Sequence, residues 1–241
     1  MNERIFQRHE LKFLVTGEQR AALEAAFAER MVPDPHGEST ICNVYYDTPD
    51  YRLIRTSLEK PVYKEKLRLR SYGPAGPEDT VFLELKKKYK GIVYKRRVSL
   101  PLRSAEDYFT GRAPLPELGQ IGREIEYFNR FYGTLRPALY LCYDRSAYFS
   151  QESADLRVTF DQNISWRQES VTLSSPAGGR QILPPGASLM EIKAAAAIPM
   201  WLVELLSRLE IRQTSFSKYG EAYKTILSAQ RRNDIGGIAN V

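Results

Sequence analysis

The sequence predicts an α+β protein whose antiparallel sheet carries helices against one face and charge on the other. Three observations lead there. In Lys64-Glu65-Lys66-Leu67-Arg68-Leu69-Arg70, leucine and cation alternate with a period of two. In a strand that period sends Lys66, Arg68 and Arg70 to one face and Leu67 and Leu69 to the other. The same alternation recurs on strand after strand, and segments of helical period separate many of the strands. Such a sheet buries its apolar face under its connecting helices.

Taken in order, the first strand runs from Gln7 to Val15, with Leu11 and Phe13 opposed to Arg8, Glu10 and Lys12. Thr16 is placed to cap a helix through Arg30, where Leu23 and Phe27 lie four apart. Met31 to Glu38 is a Pro/Gly loop, and Ile41 to Tyr46 is a strand ending in the helix-start signal Asp47-Thr48-Pro49-Asp50. A short helix through Leu58 stops before Pro61, the basic strand follows, and Gly73 to Pro77 turns the chain. Val81 to Tyr89 and Ile92 to Leu100 form a hairpin across Lys90-Gly91. Helices are expected over Ser104 to Phe109 and Gly119 to Gly133, then strands over Leu135 to Phe149 and Leu156 to Ser165. Gln168 to Gly186 is a polar excursion with room for weaker strands, and Ser188 to Ala194 is a further strand. Pro199 opens a helix through Leu209, and Ser217 caps a last helix over Lys218 to Ser228. Without a repeat or a linker, residues 1–230 read as one domain, and 231–241 as a disordered tail.

The period-two rule sorts the strand residues. One face collects Arg8, Glu10, Lys12, Lys66, Arg68, Arg70, Glu84, Lys86, Lys88, Lys95 and Arg97, then Tyr143, Arg145, Arg157, Asp161, Glu191 and Lys193. The other collects Leu11, Phe13, Leu67, Leu69, Val81, Leu83, Leu85, Tyr140, Cys142, Val158, Phe160, Met190 and Ile192. Two stretches break the pattern: Tyr94, Arg96 and Val98 share a face, and so do Leu139, Leu141 and Tyr143. A charged sheet face is ordinarily a wet one. Here, however, Glu10, Glu84 and Glu191 each stand two residues before a lysine, which puts acid and base on one face of three separate strands. Arginines such as Arg68 and Arg70 favour bidentate forks on phosphate or carboxylate. Closed into a barrel, such a sheet has a basic channel with a small carboxylate cluster inside. Carboxylates among cations suit a divalent metal that bridges to phosphate oxygens.

Composition narrows the partners. The 241 residues are 43% hydrophobic, enough for a substantial core, and the net charge of +6 points to an anionic ligand. Cys42 and Cys142 have no metal-ligand spacing and read as buried thiols of a reducing compartment. The charged start, Met1 to Glu10, is no signal peptide, and no apolar run is long enough to span a membrane, so a cytoplasmic protein is expected. Aromatic side chains are nearly missing from the charged face apart from Tyr143, which argues against nucleic acid. His9 and His36 have no catalytic neighbours, and Trp166 and Trp201 read as packing residues. Asp47 suits a helix-capping turn as well as a ligand, and Asp161 suits an arginine anchor as well as a metal.

At this point the chain resembles the VTC-type polyphosphate polymerase domain of the triphosphate tunnel metalloenzymes. The pieces that carry the resemblance are Arg8-His9-Glu10-Leu11-Lys12-Phe13, Val44-Tyr45-Tyr46-Asp47-Thr48, Lys66-Leu67-Arg68-Leu69-Arg70 and Glu84-Leu85-Lys86-Lys87-Lys88. They continue with Tyr143-Asp144-Arg145, Arg157-Val158-Thr159-Phe160-Asp161, Glu191-Ile192-Lys193 and Ser217-Lys218-Tyr219. The resemblance implies a closed eight-stranded antiparallel β-barrel with helices packed outside, binding ATP and polyphosphate inside with Mn²⁺ or Mg²⁺. It also implies transfer of the ATP γ-phosphate to a growing chain, with release of ADP. Carried over to matching positions, Lys12, Arg68, Arg70, Lys86, Lys95 and Arg145 are the catalytic cations. Arg157 and Lys218 hold phosphate, Tyr143 and Ser217 add hydroxyl contacts, and Glu191 ligates the metal. By shared face, Arg8, Lys66, Arg97 and Lys193 join the phosphate-binding set, and Glu10 and Glu84 join the metal set.

Two departures bear on the activity. Hydrolases of the superfamily usually begin with Glu-x-Glu-x-Lys, whereas this chain has Arg8-His9-Glu10-Leu11-Lys12, which favours transfer over hydrolysis. Polymerases often carry a lysine where this chain has Ser215, which removes one phosphate contact. Hydrolysis of a triphosphate and non-catalytic polyanion binding stand as the alternatives.

Overall fold

The computed structural model describes residues 9–238 apart from Gly91, Ala154 and Ala196; for His9 and residues 232–238 it describes the backbone only. Arg8, one of the expected phosphate-binding residues, therefore lies outside the described residues. The described residues begin with β1 (His9–Val15), whose end at Thr16 starts α1 (Gly17–Phe27). Thr16 and Gln19 form a reciprocal capping box, and this helix ends three residues before the expected Arg30. Then come β2 (Met31–Pro33), β3 (Ser39–Asp47), α2 (Arg52–Leu58), β4 (Tyr63–Tyr72), β5 (Thr80–Tyr89) and β6 (Ile92–Pro101). The second half holds α3 (Leu102–Phe109), α4 (Gly119–Tyr132), β7 (Arg136–Ser150), β8 (Arg157–Arg167), β9 (Arg180–Gln181), β10 (Ser188–Ala194), α5 (Met200–Arg208) and α6 (Lys218–Ile238).

All strand pairs are antiparallel, along the path β1-β10-β8-β7-β3-β4-β5-β6, with β2 on β7 and β9 on β8. Among the described residues the sheet thus has ten strands rather than eight, and it does not close into a barrel. The physical reason lies at β1. Its outer edge is occupied by the chain after α5: Phe13 bridges Gln213, and the Thr214 N–H donates to the Lys12 carbonyl. That segment takes the middle of the β1 edge, and no pair between β6 and β1 forms among the described residues. The sheet still curls far enough for Lys86 of β5 to reach Glu10 of β1 at 3.5 Å. The result is a trough lined with charge.

Apolar residues cover the convex face in two groups. Leu67, Leu69, Leu83 and Leu85 pack under α3 and α4, while Phe13, Val158, Phe160 and Ile192 pack under α1 and α5. Arg96 belongs to this outer side because its guanidinium meets Glu124 of α4 at 3.4 Å, and Val98 packs on the core beside it. The other irregular stretch, Leu139, Leu141 and Tyr143, packs with Ile54 of α2 and Tyr219 and Tyr223 of α6 on the concave side. Helices therefore do not all lie outside, as expected, because α2 and α6 fill part of the trough. Asp47 ties these two together: its carboxylate accepts from the N–H groups of Thr48, Leu53 and Ile54 and from the Tyr219 hydroxyl at 2.9 Å. It is an anchor, not a ligand of the trough.

Met31–Pro33 is a short strand where a loop was expected, and α6 continues to Ile238 through most of the segment read as a tail. Cys42 and Cys142 are free and buried, opposite each other across the β3–β7 ladder. No helix among the described residues is long and apolar enough to cross a membrane.

Candidate functional site

The trough assembles most of the expected cations. On β4, Arg68 and Arg70 are aimed by neighbours on β3: Arg70 Nε donates to Asn43 Oδ1 at 3.0 Å, and Arg68 Nη1 donates to the Tyr45 hydroxyl at 3.2 Å. Behind them, Glu84 is only 1% exposed and takes Arg68 at 2.7 Å, Lys95 at 2.8 Å and the Arg97 Nε at 2.6 Å, with Arg70 at 3.8 Å. Burial works against its ionisation, but Arg68, Arg70 and Lys95 outweigh it and hold the carboxyl far below the usual range. In the other direction, burial lowers Lys95 to about 8 against the pull of Glu84.

The opposite wall is built on β1, β10, β8 and the end of β7. Asp161 is fully buried, accepts both arms of Arg145 at 2.6 and 2.7 Å, and also pairs with Lys218 at the start of α6. That is the anchoring role the sequence left open for it. Glu191, 6% exposed, is surrounded by Lys218 at 3.3 Å, Lys193 at 3.4 Å, Arg145 at 3.6 Å and Lys12 at 3.7 Å. Glu10 stands beside it, sharing Lys12 at 3.3 Å and meeting Lys86 at 3.5 Å. Burial would raise both carboxyls; the cations win, holding Glu191 well below its ordinary value and Glu10 at about 2.

Tyr143 joins the two walls. Its hydroxyl accepts from Arg70 at 3.1 Å, and its ring lies under Lys218 at 4.6 Å and Arg145 at 5.2 Å. Burial raises its pKa, but Arg145 and Arg70 reverse that and lower it. At the foot of α6, Ser217 caps the helix by accepting the Gly220 N–H at 3.1 Å, and receives Lys66 Nζ at 3.0 Å. Arg157, on the same face of β8 as Asp161, meets Asp34 at 3.5 Å and lies over the Phe149 ring at 4.7 Å.

The expected metal triad is not assembled. Among the described residues no group of three or more His, Cys, Asp or Glu is arranged to hold a metal, and Glu84 is saturated by its own cations. Glu191 fits a divalent cation better: it is ionised, its shortest ion pair is 3.3 Å, and the buried Thr159 hydroxyl across the ladder has no hydrogen-bond partner. Ringed by lysines, it suits a cation that enters with phosphate, since Mg²⁺-type sites need only one or two carboxylates when phosphate oxygens complete the shell. Asn43, Tyr45 and Thr159 were missed by sequence reasoning. Thr159 shares the parity of Arg157 and Asp161, so its face was readable from the sequence, whereas only strand pairing shows that Asn43 and Tyr45 face the trough.

Residues 7–227 match the family model described as the VTC domain. The chain belongs to the VTC domain family. No curated protein matches its sequence. The fold of this VTC domain is similar to that of an adenylate cyclase-like protein from Bacillus halodurans, with a TM-score of 0.54 and 14% identity over 88% of this chain and 95% of that one. An adenylyl cyclase-like protein from Hippeastrum, described as having a dominant triphosphatase activity, aligns with a TM-score of 0.48 and 14% identity, over 87% of this chain and 92% of that one. The Mimivirus capping enzyme triphosphatase aligns with a TM-score of 0.34 and 8% identity, over 83% and 88%. At 14% identity the first likeness shows a shared fold alone. It agrees with the antiparallel α+β fold that the sequence implied.

Proposed function

We propose that this VTC domain is an ATP-dependent polyphosphate polymerase, which transfers the γ-phosphate of ATP to the end of a phosphate chain lying in the trough. One observation carries the reading. The cations that gather here, Lys12, Lys66, Arg68, Arg70, Lys86, Lys95, Arg97, Arg145, Lys193 and Lys218, outnumber Glu10, Glu84, Asp161 and Glu191 by more than two to one. Such a surplus suits a polyanion longer than one triphosphate. The single carboxylate of the Glu10-Leu11-Lys12 strand, where hydrolases carry two, favours a phosphate acceptor over water.

In the transfer, a terminal oxygen of the chain attacks the γ-phosphorus, the bond to the β-bridging oxygen breaks, and ADP leaves. Charge spreads over the oxygens of the transferring group, and fixed cations stabilise it without reorganising. Arg68 and Arg70 suit that task because Glu84, Tyr45 and Asn43 hold their guanidinium groups in place. Arg145, locked by Asp161, suits it from the opposite wall. Glu191, with Glu10 beside it, would hold Mn²⁺ or Mg²⁺, and such an ion neutralises phosphate charge.

The test is to incubate the protein with ATP and Mn²⁺ and to resolve the products by length. ADP with phosphate chains is expected. ADP with free phosphate alone, at every ATP concentration, would instead make the domain a triphosphatase, and ATP left intact would make it a polyanion-binding module.

A further inference from the structure

We propose that Lys66 and Ser217 form a proton-gated donor pair: a phosphate chain entering the trough places a proton on Lys66, and that proton turns the Ser217 hydroxyl from the lysine to the chain. This rests on the polyanion reading above and adds how binding couples to pH.

Lys66 differs from the other lysines of the trough. Lys12, Lys86, Lys95, Lys193 and Lys218 each have a carboxylate within 4 Å. Among the described residues Lys66 has none, and its Nζ lies 3.0 Å from Ser217 Oγ. The charged groups that bear on it are Lys12 of β1, Lys64 and Arg68 of its own strand, and Lys86 of β5, all cations. Of the other elements packed on β4, β3 carries Asp47, whose carboxylate is taken by the N–H groups of Thr48, Leu53 and Ile54 and by the Tyr219 hydroxyl. The other, α6, contributes Ser217, whose neighbour Lys218 is engaged by Asp161 and Glu191. Burial first, and these cations second, lower Lys66 to about 7. Near and above that pH the free protein holds much of it as a neutral amine.

The hydrogen-bond arithmetic follows. Ser217 Oγ already accepts the Gly220 N–H, so its hydroxyl has one proton to give. A neutral amine accepts that proton. An ammonium has three donors and no acceptor, so once Lys66 is charged the Ser217 proton must point elsewhere, and phosphate oxygens are the acceptors a polyanion brings. Ligand charge also raises Lys66 back toward its ordinary range. One proton taken from solvent therefore arms two donors, and the free trough carries one charge fewer to repel its neighbours.

The experiment is calorimetric titration with tripolyphosphate near pH ~8, in two buffers of different ionisation enthalpy, which counts protons taken up on binding. The wild type should take up roughly one proton more than Lys66→Arg, whose side chain stays charged at that pH. Lys95 and the ligand titrate in both proteins, so the difference isolates Lys66. Lys66→Gln should lose the same proton without the bulk of a guanidinium, which guards against a folding defect in the arginine variant. Ser217→Ala should keep the uptake and bind about fivefold more weakly, the loss of one hydrogen bond. Equal uptake in wild type, Lys66→Arg and Lys66→Gln, with tripolyphosphate bound by all three, would overturn the pair and leave the polyanion reading standing. Tripolyphosphate that binds none of them would overturn both.

Discussion

On β5, Glu84 receives Arg68, Lys95 and Arg97 at 2.6–2.8 Å, so its lone pairs are occupied. On β10, Glu191 has four cations around it, but at 3.3–3.7 Å, where attraction persists and directed hydrogen bonds are weak. Both glutamates stand in Glu-x-Lys, and both are buried and ionised. The difference separates two tasks that one motif conceals. Glu84 is a strut that fixes the guanidinium forks of one wall, whereas Glu191 is a caged charge whose oxygens a further cation can claim.

The largest expected effect breaks the strut. Glu84→Gln leaves Arg68 and Arg97 without their shared counter-charge in a buried setting. A loss of roughly 3–5 kcal/mol in unfolding free energy is expected, read by chemical denaturation. Glu191→Gln should cost less stability, because Asp161 still pairs Arg145 and Lys218, and should cut turnover of ATP by at least about 100-fold, as removal of a transition-state charge contact does. If the two variants exchange these phenotypes, the assignment of strut and ligand is reversed.

A smaller effect concerns the cation that neither carboxylate serves. Lys66 has a folded pKa of about 7, below its ordinary 10.5, so between these values the unfolded chain binds more protons. Stability of the ligand-free protein should therefore rise with pH across that window, and Lys66→Met should flatten the rise while stabilising the protein at its acid end. The smallest effect is expected on the convex face. Glu124→Gln removes the partner of Lys87 and Arg96 in a partly exposed cluster, a change of at most about 1 kcal/mol with ATP turnover unaltered. A large loss of turnover there would mean that the outer face takes part in the reaction.

How much of this was legible in the sequence follows from the range of each interaction. Period-two alternation is local, so the faces of Lys66, Arg68, Arg70, Lys86 and Glu191 could be read directly. The Ser217 cap and the Asp47 turn were equally visible, because both act within a few residues. Closure was not, since it turns on whether β6 or the segment at Gln213 reaches the free edge of β1, a competition between parts of the chain far apart. The concave apolar patch at Leu139 and Leu141 broke the parity rule because α2 and α6 return to cover it. Nor could Glu84 and Glu191 be told apart, because their partners come from other strands and, for Glu191, from α6.

The most direct test of the difference between the two carboxylates is Mn²⁺ binding followed by electron paramagnetic resonance, in the presence of tripolyphosphate. Wild type is predicted to bind the ion jointly with the phosphate, Glu84→Gln to retain that binding in whatever fraction stays folded, and Glu191→Gln to lose it. Loss of the ion in folded Glu84→Gln together with retention in Glu191→Gln would contradict the account.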